Sequence, residues 1–132
     1  MSYEERGIDV TFPAEEDLSN DQYRIMVLTS TGTVRRPDAA TEIPIGVLQN
    51  APAVAGQAAV VRLISGGGIS KVQMGATVAT GATVQCEYVS ATDAGKAIAN
   101  VATGYCVGQL VQGGAEDDLG SVALGSYLPK AV

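Results

Sequence analysis

Gln57-Ala58-Ala59-Val60-Val61-Arg62-Leu63-Ile64-Ser65 is the stretch whose reading decides the fold class. Val60, Val61, Leu63 and Ile64 form a nearly continuous apolar run broken only by Arg62, and Gly66-Gly67-Gly68 ends it. A run this short, rich in β-branched residues and closed by glycine, reads as a buried strand; a helix would need about ten residues or more. On its N-terminal side, Asn50 to Gly56 is a loop, and Ile43 to Leu48 is a short strand whose Pro44 places it at a sheet edge or a strand start. Further back, Tyr23, Ile25 and Val27 alternate with Arg24, Met26 and Leu28, so both faces of a Gln22–Thr29 strand are suited to partial burial. Ser30-Thr31-Gly32-Thr33 is a turn, Val34 begins a return strand, and Arg35 to Thr41 is a loop.

On the C-terminal side a short strand is expected over Ile69 to Met74. Gly75-Ala76-Thr77-Val78 then recurs as Gly81-Ala82-Thr83-Val84, two half-turns that read as short strand segments joined at glycine corners. Val84, Cys86 and Tyr88 alternate with Gln85, Glu87 and Val89, Asp93-Ala94-Gly95-Lys96 is a hairpin turn, and Lys96 to Val101 returns antiparallel. Tyr105 to Val111 and Ser121 to Leu124 are the last strands, with an acidic loop from Gly113 to Asp118 between them. The best helix candidate, Ala91 to Ala99, is weakened by Gly95. Short strands at regular, turn-punctuated spacing predict an all-β chain, a small barrel or sandwich.

Residues 1–21 differ in character from residues 22–132. They carry Glu4, Glu5, Asp9, Glu15, Glu16, Asp17 and Asp21 against Arg6 alone, and read as an extended acidic N-terminal arm on a β body. Within the arm, Ile8, Val10 and Phe12 alternate with Asp9 and Thr11 before Pro13. This period-2 stripe has two readings: a strand that adds to a partner's sheet through Ile8, Val10 and Phe12, or the first strand of the body's own sheet.

Composition narrows the function. The 132 residues suit one domain, and at 46% hydrophobic the chain is too apolar for disorder. The absence of histidine removes the commonest general base and metal ligand. A net charge of −6 argues against nucleic-acid and anionic-membrane partners, which need clustered Lys and Arg; the one basic pair, Arg35-Arg36, reads as a solvated loop. Cys86 and Cys106 lack the close Cys or His of a zinc site and are expected to be free thiols, a disulfide being the alternative if their strands are neighbours. No signal peptide or membrane-spanning run is expected. Gly66-Gly67-Gly68 lacks the lysine and following helix of a phosphate loop, Ser70 and Lys71 are neighbours that face opposite ways on a strand, and Glu116-Asp117-Asp118 lacks the spacing of a calcium loop. No enzymatic activity, small-molecule substrate, cofactor or metal is expected.

Two resemblances remain. The glycine–valine pattern from Gly75, with Glu87 and Lys96, is similar to lipoyl and biotinyl carrier domains, in which a hairpin-tip lysine is modified; the longer spacing and the Ala94-Gly95-Lys96 context depart from that family, and Lys96 reads as a solvated turn residue. A second resemblance covers more of the chain. Ile45-Gly46-Val47-Leu48-Gln49-Asn50-Ala51-Pro52, Gly56-Gln57-Ala58-Ala59-Val60-Val61-Arg62, Ser70-Lys71-Val72, the two Gly-Ala-Thr-Val units, Ala94-Gly95-Lys96-Ala97 and Tyr105-Cys106-Val107-Gly108, in this order and spacing, resemble the capsid cement (decoration) proteins of tailed phages. Asp17-Leu18-Ser19 and Gln22-Tyr23 fit the approach to that family's first body strand. The resemblance implies a β-tulip or barrel-like domain, made in the host cytoplasm. It would sit on the outer face of the virion capsid as a homotrimer, bridging neighbouring major capsid subunits, with no active site. A phage tail or fibre accessory protein is the further alternative.

Overall fold

The computed structural model describes residues 4, 7–101 and 104–125. Among them the chain forms ten strands: β1 (Asp9–Pro13), β2 (Ile25–Leu28), β3 (Val34–Arg35), β4 (Pro44–Leu48), β5 (Ala58–Leu63), β6 (Ile69–Gln73), β7 (Thr83–Cys86), β8 (Ala97–Ala99), β9 (Gly108–Gln112) and β10 (Leu119–Leu124). One turn of 3-10 helix, Ile64–Gly66, links β5 to β6. The Ala91–Ala99 stretch contains no helix; Gly95 adopts a φ of 90° at the turn that returns the chain into β8.

The strands make two antiparallel five-stranded sheets, in the orders β1-β5-β4-β2-β3 and β6-β10-β9-β7-β8. The second order is the first with every strand replaced by the one five places later. The registers repeat as well: Gly46 opposes Leu63 and Leu48 opposes Val61 in the first sheet, and Gly108 opposes Leu124 and Leu110 opposes Val122 in the second. So do the connections. Leu63 N–H donates to Ile8 O at 2.9 Å, as Leu124 N–H does to Gly68 O at 2.9 Å. Leu18 N–H donates to Pro52 O at 2.8 Å, as Val78 N–H does to Gly114 O at 3.0 Å. The chain is therefore an internal duplication, residues 9–63 and 69–124.

Each sheet curls until its first and third strands in chain order touch, through a parallel bridge at Ala14–Val34 in one half and Met74–Ala97 in the other. A single bridge is not a ladder, so the expected barrel is two curled sheets without hydrogen-bonded closure. Glycine is required at one equivalent point in each. A Cβ on Gly46 would lie 2.2 Å from Arg62 O, and one on Gly108 would lie 2.1 Å from Ala123 O.

The interiors correspond in the same way. Ala14, Leu18, Met26, Val34, Leu48 and Val61 form the first core, with Phe12 and Ile45 against it. Met74, Val78, Val84, Ala97, Leu110 and Val122 are their counterparts in the second, beside Val72 and Val107. The second cluster also takes in Ile25, Val47 and Ile64 from the first half, so one apolar body holds the halves together. Burying each of these three contributes roughly 1.5–3 kcal/mol. Polar contacts add direction: Ile25 N–H donates to Gly95 O at 2.7 Å, Gln73 N–H to Tyr23 O at 2.9 Å, and Arg62 Nη1 to Ile69 O at 3.0 Å.

Residues 9–21, set apart on sequence grounds as an arm, are built into this architecture. β1 pairs along its length with β5, and Ala14 and Leu18 are fully buried.

Candidate functional site

Three places bear on function: the edge of β1, the charged cluster around Asp21, Arg35 and Lys96, and an apolar cleft between the halves.

On β1, the Leu63–Ile8 and Ala14–Gln57 hydrogen bonds fix the phase of the ladder. Residues 8, 10, 12 and 14 address β5, so Asp9, Thr11 and Pro13 turn their backbone groups to the free edge. Pro13 has no N–H to give, and Asp9 is engaged by Arg62 Nε at 2.8 Å. A proline and a charge blunt this edge against strand addition. Of the stripe Ile8, Val10 and Phe12, the last two are half-buried, with Phe12 packed on the first core, and Ile8 is 55% exposed over Gly66. The stripe thus serves the chain's own sheet, and Ile8 is the member left facing outward.

The basic pair is not a free solvated loop. Arg35 Nη2 lies 2.6 Å from Glu42 Oε2, and Arg36 Nη2 lies 3.0 Å from Glu16 Oε1. The hydrogen bond from Arg35 holds the Glu42 carboxyl below its ordinary range. Asp21, 1% exposed, has Arg24 Nη1 at 3.1 Å and Arg36 Nη1 at 3.6 Å, without hydrogen-bond geometry to either. Burial outweighs both positive neighbours and pushes its carboxyl up. These side chains with Asn20, Ala91 and Thr92 line an open polar hollow of about 350 Å³.

Lys96 is not a solvated turn residue either. It is 6% exposed, and its Nζ contacts Asp117 Oδ1 at 2.7 Å and Asp93 Oδ1 at 3.5 Å. The hydrogen bond to Asp117 raises its pKa and keeps it charged. The turn chemistry of Asp93–Lys96 was legible; the partner, far along the chain in the acidic loop, was not. Beside it, burial raises the carboxyl of Glu87, which lies against Gly75. Both cysteines are free and buried, and burial pushes the Cys86 thiol up to about 11, far from a reactive thiolate. Among the described residues no cluster of His, Cys, Asp or Glu is arranged to hold a metal ion, and no helix is long and apolar enough to cross a membrane.

The cleft is the feature that sequence reasoning missed. Ile43, Pro44 and Ile45, at the start of β4, face Tyr105 and Cys106, the approach to β9, with Ile64 and Ser65 as a third wall around about 190 Å³. The two stretches are equivalent segments of the duplication. The likeness of Ile45-Gly46-Val47-Leu48 to Val107-Gly108-Gln109-Leu110 was the available signal.

Comparison of the chain with family models, with curated proteins and with solved structures gives no match.

Proposed function

We propose that this chain is a virion structural protein, a cement protein that binds the outer surface of an assembled tailed-phage capsid and bridges neighbouring major capsid subunits. The observation that carries this reading is the duplication. Two similar platforms, fused by a shared apolar core, give one chain two places from which to grip a partner that itself repeats. Each half also keeps large apolar side chains exposed: Ile8, Leu28, Ile43 and Val54 in the first, Tyr88, Val89, Val101 and Leu119 in the second. Linking two weak contacts rigidly raises the effective concentration of the second and can gain about 10²–10⁴ in avidity. A homotrimer, as the family resemblance implies, multiplies this on a symmetric lattice. The carrier-domain alternative asks for a projecting lysine, and Lys96 is buried and ion-paired.

Co-sedimentation with expanded capsids tests the reading: the chain should pellet with capsids at a fixed ratio to the major capsid protein, and multi-angle light scattering should give a trimer in solution or the map of the particle a three-fold cluster. A chain that stays in the supernatant, or that pellets only with isolated tails, contradicts it.

A further inference from the structure

We propose that the apolar cleft and the acidic hollow beside it form one groove, and that this groove takes a segment of the major capsid protein in which a large apolar side chain lies next to a lysine or arginine. The inference rests on the capsid-binding reading and names the partner chemistry of one of its grips. Ile43 and Tyr105 line both the cleft of about 190 Å³ and a neighbouring hollow of about 590 Å³, which runs on over Leu28 to Glu15 and Glu42. The two are one continuous depression, apolar at its Ile64 end and charged at its Glu15 end.

The apolar end is preformed. Ile64 belongs to the core shared by the halves and Ile45 packs on the first core, so both walls are held from behind. The groove carries the apolar junction outward into solvent, where Ile43 is 68% exposed and Leu28 41%. A rigid pocket of this kind accepts one large apolar side chain as an anchor at small reorganisation cost. The charged end decides what flanks that anchor. Three carboxylates converge on the Arg35 guanidinium: Glu42 at 2.6 Å, Asp38 at 3.2 Å and Glu15 at 3.8 Å. Arg36, next along the chain, is matched separately by Glu16 and Asp21. One guanidinium among three carboxylates leaves this end negative. Glu15, with the longest of the three contacts and a side chain 44% exposed, has room for a further cation. A basic side chain completes the cluster, and an acidic one is repelled by it.

Co-sedimentation of the full chain with expanded capsids, titrated to give an affinity, tests the groove through four variants. Ile43→Asp should weaken binding about thirtyfold, the loss expected of an anchor pocket. Glu15→Gln should weaken it about threefold and Glu15→Lys about tenfold, because the second repels the cation that the first merely leaves unmatched. Gln109→Asp, which adds a negative charge at an exposed site of the second half, should stay within about twofold of the unaltered chain. Melting curves check that all four variants stay folded. Equal affinity for Ile43→Asp and the unaltered chain overturns the inference alone. So does binding by Glu15→Lys as tight as that of the unaltered chain, which would give the groove a neutral or acidic occupant. Loss of a solution oligomer in Ile43→Asp, read by light scattering, would assign the groove to a second copy and overturn the capsid assignment. An unaltered chain that stays in the supernatant overturns the functional reading and this inference with it.

Discussion

The outer face of β2 and β4 carries Ile25 and Val47, both fully buried against the second half; the equivalent face of β7 and β9 carries Thr83 and Gln109, both exposed. The same fold therefore presents an apolar surface in one half and a polar one in the other. Backbone chemistry changes in step. Gln73 offers its N–H to Tyr23 O across the junction, but its counterpart in the first half is Pro13, which has none. The counterpart of Tyr23 is Gly81, whose carbonyl is already taken by Gln109 Nε2 at 2.9 Å. The interior of each half specifies the curled sheet; the outer face specifies whether another half can stack on it. With Thr83 and Gln109 exposed, the outer face of β7 and β9 lacks the apolar pair that packs the first half on the second.

The comparison breaks most sharply at the junction. Val47→Asp buries an unpaired charge between the halves and should cost roughly 4 kcal/mol or more, whereas Gln109→Asp at the equivalent position should stay within about 0.5 kcal/mol. Urea denaturation of the two variants measures the difference, and similar costs would mean that the halves do not pack as described. The two cores should instead behave alike. Leu48→Ala and Leu110→Ala remove equivalent buried side chains and should each cost about 2–5 kcal/mol. One smaller than the other by most of that amount would show the interiors to be unlike. Gly46→Ala and Gly108→Ala both press a methyl group on a carbonyl oxygen and should lower the melting temperature together, by about 1–3 kcal/mol of stability each.

The smallest effect is electrostatic and opposite in sign between the halves. Glu42 titrates below its unfolded value of 4.5 because Arg35 bonds its charged form. Its contribution is complete above the unfolded pKa and is lost as pH falls through the lower folded one. Glu87 titrates above 4.5 because burial disfavours its charge, so its term favours the fold below the unfolded pKa and fades as pH rises through the folded one. Glu42→Gln should cost about 1 kcal/mol at neutral pH and little in acid. Glu87→Gln should cost nothing at neutral pH and flatten the pH slope just above 4.5. Melting curves from pH 3 to 7, roughly the range over which carboxylates titrate, check both.

The strands themselves were largely legible, because alternation and glycine or proline punctuation are local signals: each of the ten overlaps a stretch where the pattern puts one, but Arg35, read as loop, pairs in β3, and Gly75–Val78, read as a short strand segment, has only the isolated Val78–Gly114 bridge. The duplication was not. Its cores match in kind rather than identity, as Phe12 with Val72 and Ala14 with Met74 illustrate. The β7–β8 connection, Glu87 to Lys96, is also longer than the Thr29–Thr33 turn it parallels, which shifts the phase of the repeat midway. The conspicuous Gly-Ala-Thr-Val echo lies inside one half and has no part in the repeat. Charges were the least legible. Lys96 and Arg36 read as solvated because their partners, Asp117 and Glu16, are distant in sequence and are brought near only by the sheets.

Electron cryo-microscopy of this chain bound to expanded capsids tests the central claim most directly. The account predicts density on the outer surface in which residues 9–63 of one chain contact one major capsid subunit and residues 69–124 contact its neighbour. Undecorated capsids at saturating chain, or a chain held through one half with the other free of the shell, would contradict it.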